Sequence, residues 1–313
     1  MDIDWEGDCG VLLRRHAIAQ GYDDRTLRRM VSSGELHRIR RGAYVPGPTW
    51  AEAGPVDRHR LTARAVILTA HPGAVLTHVS AVAEYDLPIW GVDLTEVHLT
   101  RPDGLAGRRE AGIVHHCGEL PSHDVVIRNR LSVSCPARAA IELTTHADVE
   151  AALVSINWML AESLASKPEL ERYLDSFKHW PNSLRSDLVI RLSDHRNKWP
   201  IESRMGYLLW RQGLPRPVPQ FEVRDELGNV VAILDFAFPK HHCFIEMDGR
   251  IKYLYFRRPG ESLEEFLLRE KRREELVCLL TGWVCIRLTW DDLARPAITA
   301  RRIRALLSRV AAR

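Results

Sequence analysis

Three carboxylates sit where apolar strand residues dominate: Asp235 in "VVAILDFAF", and Glu246 and Asp248 in "CFIEMDG". Acids in such stretches either face water by alternation or hold something positively charged, because a buried carboxylate without a partner is costly. The two stretches are joined by "PKHH", and a hairpin centred between Lys240 and His241 sets Asp235 directly opposite Glu246. Asp248 then lies within diagonal reach on the same face. Opposed like charges repel, more so as the dielectric falls, and a divalent cation removes the conflict. Oxygen ligands at this density suit Mg²⁺ or Mn²⁺. Glu202, in "WPIESRMGYLLWRQGLP", would be a further ligand or would orient a metal-bound water. Two plainer readings stand beside this one. An acid in the first turn of a helix is favoured by the helix dipole alone, and a hairpin slipped by one residue leaves Asp235 and Glu246 on opposite faces.

A second constellation is basic. Residues 10 to 46 hold eight arginines against Asp23, Asp24 and Glu35, an excess of +5 (eight minus three), although the whole chain carries only +3. Arg25, Arg28 and Arg29 fall on one face of "DDRTLRRMVSSG", and Arg38, Arg40 and Arg41 on the alternating segment "ELHRIRRGAYV". A helix with such a face fits the major groove of double-stranded DNA while a basic hairpin tracks phosphates. The alternative is a solvated charged face, against which stands the scarcity of compensating acids. Two "HHC" tripeptides, His115 to Cys117 and His241 to Cys243, invite a zinc reading. Neighbours on a strand point to opposite faces, however, so one tripeptide chelates poorly. His78 and Ser80 read as a capped or core pair rather than a base and its nucleophile.

The elements that must position these groups follow from periodicity and punctuation. "GVLLRRHAIAQG" reads as a helix closed by Gly21, and the arginine-rich segment as a second helix capped by Asp23 or Asp24, buried through Leu27, Met30 and Val31 and ended at Gly34. A small hairpin turning at Arg41-Gly42 follows, so the outline over residues 1 to 47 is a winged helix-turn-helix. Pro46 to Pro55 is rich in Pro, Gly and Ala and reads as a linker. Residues 55 to 147 form a small α+β middle domain: helices over 58 to 70 and 74 to 88, strands at "EVHLT", "GIVHHCGEL" and "NRLSVS", and a helix from Pro136. Residues 148 to 198 are a helical bridge broken near Pro181-Asn182. From 199 to 313 the order is helix, three strands, helix, strand and a C-terminal helix; Ser262 with Glu265 forms a capping box, and Gly282 ends that helix. The fold class is α/β in the sense of a multidomain α+β chain.

The C-terminal order, residues 200 to 293, resembles the PD-(D/E)XK nuclease superfamily, in particular its branch similar to very-short-patch repair endonucleases. Glu202, Asp235 and Glu246 match the acidic motifs, as does the trailing "REKRREELVCLLTGWVCIRLTWDDL". The resemblance implies a restriction-endonuclease-like mixed sheet flanked by helices and a Mg²⁺ ion that polarises a phosphodiester and acidifies the attacking water. The family's third motif usually ends in Lys two residues after the Glu. Here Asp248 stands in that place, with Lys252 and Lys271 as the lysines able to substitute. The N-terminal half, about residues 8 to 150, resembles AbiEi-type antitoxins of type IV toxin-antitoxin systems, through "RRHAIAQGYDDRTLRRMVSSGELHRIRRGAYV", "LTHVSAVAEYDLP", "EVHLTRPDG" and "SCPARAAIEL". That resemblance implies a DNA-binding repressor paired with a nucleotidyltransferase-type toxin.

Composition narrows the classes. At 313 residues with 45% hydrophobic and 27% charged, the chain is too long for one core. Six scattered cysteines without a CxxC pair suggest neither a disulfide framework nor a zinc ribbon. No apolar run approaches a membrane span, and the acidic start "MDIDWEGDCG" is unlike a signal peptide. A cytoplasmic protein without membrane association is expected. Three functions follow: a DNA-binding regulator of antitoxin type carrying a nuclease-like domain, a Mg²⁺-dependent endonuclease targeted by its winged helix, or a toxin-neutralising binding protein.

Overall fold

The computed structural model describes residues 9–101, 106–249 and 257–311. The chain divides into two compact units, one through Ser193 and one from Asp194 onward. Three mixed or antiparallel sheets and their helices make a multidomain α+β protein. Among the described residues no helix is long and apolar enough to cross a membrane.

The first unit opens with β1 (Leu12–Leu13), α1 (Arg14–Ala19), α2 (Asp24–Ser32), β2 (Leu36–Arg40) and β3 (Ala43–Pro46), the strands ordered β1-β3-β2. Leu12 and Leu13 were expected inside the first helix. They instead pair with Tyr44 and Ala43, because as a strand they send side chains to two cores. Leu13 packs with Val11, Ala43 and Val45, and Leu12 with Ala17, Tyr22 and Leu27. The stretch expected as a linker contains α3 (Gly47–Glu52), with Pro at its start. Gly47 lies so close to Gly34 that a Cβ would meet the Gly34 carbonyl oxygen at 1.8 Å. The wing and the following helix α4 (Pro55–Ile67) share a core through Leu61 and Ala65.

Next come β4 (Val75–Leu76), α5 (His78–Glu84), β5 (Val97–Thr100), β6 (Arg108–Glu110), β7 (Ile113–His116), β8 (Val125–Arg128) and β9 (Leu131–Ser134), in a sheet ordered β6-β7-β5-β4-β9-β8. The helix expected from residue 74 starts later because Val75 and Leu76 are taken by the sheet, pairing with Thr100 and Leu99. The helices α6 (Pro136–His146), α7 (Val149–Ala161), α8 (Lys167–Ser176) and α9 (Ser183–Leu192) complete the unit, the last two separated at Pro181-Asn182. Buried charges here are paired. Arg138 binds Asp124 at 2.6 Å and Glu142 at 2.7 Å, and Arg64 grips Glu84 at 2.8 Å. Ser80 accepts the His98 N–H and lies 3.0 Å from His59 Nε2, so it is a core hydroxyl.

The second unit comprises α10 (Pro200–Arg211), β10 (Val218–Arg224), β11 (Val230–Phe238), β12 (Cys243–Asp248), α11 (Leu263–Thr281), β13 (Val284–Thr289), α12 (Trp290–Leu293) and α13 (Pro296–Ala311). The sheet order is β10-β11-β12-β13, antiparallel except for the parallel pair β12 and β13 that α11 connects. One core packs Ile201, Met205, Leu208 and Leu209 of α10 with Phe236, Ile245, Met247 and Ile303. The other packs Phe244 and Ala237 with Val277 of α11. Ser262 and Glu265 form the expected capping box, and Gly282 takes the left-handed cap at φ 68°.

Candidate nucleic-acid interface and carboxylate site

Helix α2 is held by its own sequence. Asp23 accepts the Thr26 N–H at 2.7 Å as the N-cap, Leu27 is buried in the core with Tyr22, Leu36 and Tyr44, and Asp24 binds Arg14 at 2.6 Å. That anchorage turns Arg25, Arg28 and Arg29 to solvent. The hairpin adds Arg38 and Arg41, both exposed, and Arg40, half-buried. Gly42 supplies the positive φ of 78° that the tight turn needs, and a bulge between Arg38 and Arg40 strengthens the local twist. Among the described residues none of these six arginines makes an ion pair; Arg28 Nε only donates to the Asp24 carbonyl at 3.1 Å. Exposed guanidinium groups on a short helix and an adjoining wing are suited to phosphate oxygens.

In the second unit the hairpin has the register expected of it. Phe236 pairs with Ile245, Ala237 with Phe244 and Phe238 with Cys243. The ladder stops one step short of Asp235 and Glu246. There the Asp235 carboxylate takes over a backbone role, Oδ2 accepting the Met247 N–H at 2.7 Å. Glu246 and Asp248 alternate with Ile245 and Met247, which belong to the α10 core, and so face α11. Arg273 of α11 lies 3.4 Å from Glu246 and 3.0 Å from Glu270. Arg287 of β13 binds Asp248 at 3.0 Å and Glu274 at 2.6 Å. Burial works against the Arg287 charge, but the hydrogen bond to Glu274 and the charges of Asp248 and Glu274 outweigh it and raise its pKa.

Glu202 is 2% exposed, Asp235 7% and Glu246 3%, so this unit buries three carboxylates. Glu202 sits in the first turn of α10 and accepts the Trp199 N–H at 3.2 Å, the capping role expected of an acid there. Its turn lies against the end of β12, since a Cβ on Gly249 would be 3.7 Å from Ile201. Lys252 lies outside the described residues. Lys271 lines a cavity of about 310 Å³ with Asp248, Glu270, Glu274 and Arg287 and is 3.9 Å from Glu275. The arginines are what reasoning from acids alone misses. Arg287 is the parallel register partner of Glu246, a signal available only once β13 is placed beside β12.

These acids do not fit a divalent cation as they stand. Asp248 is held by Arg287, Glu246 faces Arg273, and Asp235 caps a backbone amide. Among the described residues they are not gathered as a three-ligand group.

Comparison with known proteins bears on the first of these sites. No curated protein matches the chain. A crystal structure of the RV2827C protein from Mycobacterium tuberculosis is similar at 14% identity over 69% of this chain and 83% of that one, with a TM-score of 0.37. Residues 9–47, the segment that carries α2 and the basic hairpin, match the family described as a transcriptional regulator, AbiEi antitoxin.

Proposed function

We propose that this chain is a DNA-binding repressor of antitoxin type, with its winged helix on double-stranded DNA and a PD-(D/E)XK-like domain as its second unit. The observation that carries the reading is the set of six arginines on α2 and the β2–β3 hairpin without a carboxylate partner among the described residues, in the segment that matches the antitoxin family. A nucleotidyltransferase-type toxin is the partner this reading implies. Gel-shift titration of the DNA upstream of its own gene tests it, and an affinity no better than that of Arg28→Ala with Arg29→Ala would refute it. Co-purification with the product of an adjacent gene tests the toxin partnership.

The second reading is a Mg²⁺- or Mn²⁺-dependent endonuclease, favoured by the burial of Glu202, Asp235 and Glu246 in one sheet-and-helix unit. It requires Arg273 and Arg287 to leave Glu246 and Asp248, with Lys252 or Lys271 standing in for the lysine that Asp248 replaces. Incubation of plasmid and linear DNA with either metal decides it. Cleavage by the wild type that is lost in Glu246→Ala supports the nuclease, and intact DNA in both leaves the domain a non-catalytic one.

A further inference from the structure

Four imidazoles meet in the first unit: His78 at the start of α5, His98 in β5, His116 in β7 and His146 at the end of α6. His78 and His116 stack at 3.7 Å between centroids, and His146 stands edge-on to them at 4.8 Å and 5.3 Å. No carboxylate binds any of these four rings among the described residues. Each of the three has one nitrogen already engaged: His78 Nδ1 lies 3.0 Å from Thr77 Oγ1, His146 Nδ1 2.7 Å from Thr145 Oγ1, and His116 Nε2 2.9 Å from His98 Nδ1. The His146 ring is hydrogen-bonded to the Glu142 carbonyl as well. Contacts of this kind bias which tautomer an imidazole presents.

We propose that His78, His116 and His146 form a binding site for a divalent transition ion of the zinc class. One ring nitrogen from each lies within 4.8 Å of the others. Tetrahedral zinc, with Zn–N of about 2.0–2.1 Å, holds its nitrogens roughly 3.3–3.4 Å apart. Closing that gap takes rotation of the exposed His146 and half-buried His116, which also unstacks the His78–His116 pair. A neutral imidazole set prefers such an ion to Mg²⁺. The rings open onto a cavity of about 460 Å³, giving the ion a path in and a fourth position for water. Arg138 lines the same cavity, and its charge is taken up by Asp124 and Glu142. The bound ion would tie the ends of α5 and α6 to β7.

The test is titration of chelator-stripped full-length protein with Co²⁺, followed by Zn²⁺. One Co²⁺ per chain, a visible absorption band of tetrahedral type and its loss on adding Zn²⁺ are expected. His146→Gln, at an exposed helix end, and His116→Asn should each weaken Co²⁺ binding on the order of 100-fold, while His123→Gln, at an exposed histidine outside the cluster, leaves it unchanged. Circular dichroism checks that each variant is folded; if His116→Asn is not, His146→Gln decides. Co²⁺ binding that is absent, unaffected by His146→Gln, or equally weakened by His123→Gln overturns the assignment.

Discussion

Replacing Arg28 and Arg29 together by Ala removes two of the six guanidinium groups that make no ion pair among the described residues, while leaving the supports of α2 in place. Asp23 still caps the helix, Leu27 still fills the core and Arg14 still binds Asp24. Alanine is the strongest helix former, so helicity should be kept. If all six arginines neutralise phosphates, the logarithm of the association constant falls against the logarithm of salt concentration with a slope of about −5, and of about −3.6 once two are removed. Between roughly 50 and 200 mM salt the wild type should then lose on the order of 10³-fold in affinity, and the double variant only about 150-fold. Fluorescence anisotropy with a labelled duplex, repeated across salt concentrations, measures both slopes. A double variant with the wild-type slope would show that α2 does not meet phosphates, and the reading of the winged helix as a DNA-binding element would fall with it.

Other outcomes test the framework that holds the sites. Gly47→Ala should cost about 1–3 kcal/mol, because its Cβ must push the Gly34 carbonyl away; urea unfolding measures this. Arg138→Ala should cost roughly 3–5 kcal/mol by stranding the buried Asp124 and Glu142 carboxylates, seen as a fall in thermal midpoint. His59 is held below its ordinary pKa by burial, between the Leu94 carbonyl and the Ser80 hydroxyl. The unfolded chain therefore binds the extra proton, and stability should decline as pH falls below about 6.5. His59→Gln should flatten part of that decline in urea midpoints taken across pH.

Much of the architecture was legible because it rests on local chemistry. Of the two acids offered as the α2 cap Asp23 holds that place, and the Ser262 and Glu265 capping box, Gly282 and Pro200 marked helix ends correctly. Two apolar stretches around "PKHH" closed the hairpin in the expected register. Expectation failed where a segment's state depends on what lies next to it. Leu12–Leu13 and Val75–Leu76 look like helix but are drawn into sheets by Tyr44 and Leu99. The short strands β6 and β8 exist because β7 and β9 offer them a partner.

The sites divide along the same line. The arginine face of α2 and its wing could be read from residue types at helical and strand spacing, since exposed charge needs no distant partner to be placed. The state of the acids could not. Asp235, Glu246 and Asp248 are three carboxylates in sequence, yet in the fold one caps a ladder end and two face arginines from α11 and β13, because parallel pairing sets Arg287 beside Glu246 and helix packing brings Arg273 over it. The histidines show the point most fully. His78, His98, His116 and His146 are separated by 18 to 30 positions, and no periodicity links them; only the sheet order and the ends of α5 and α6 bring their rings within reach of one another.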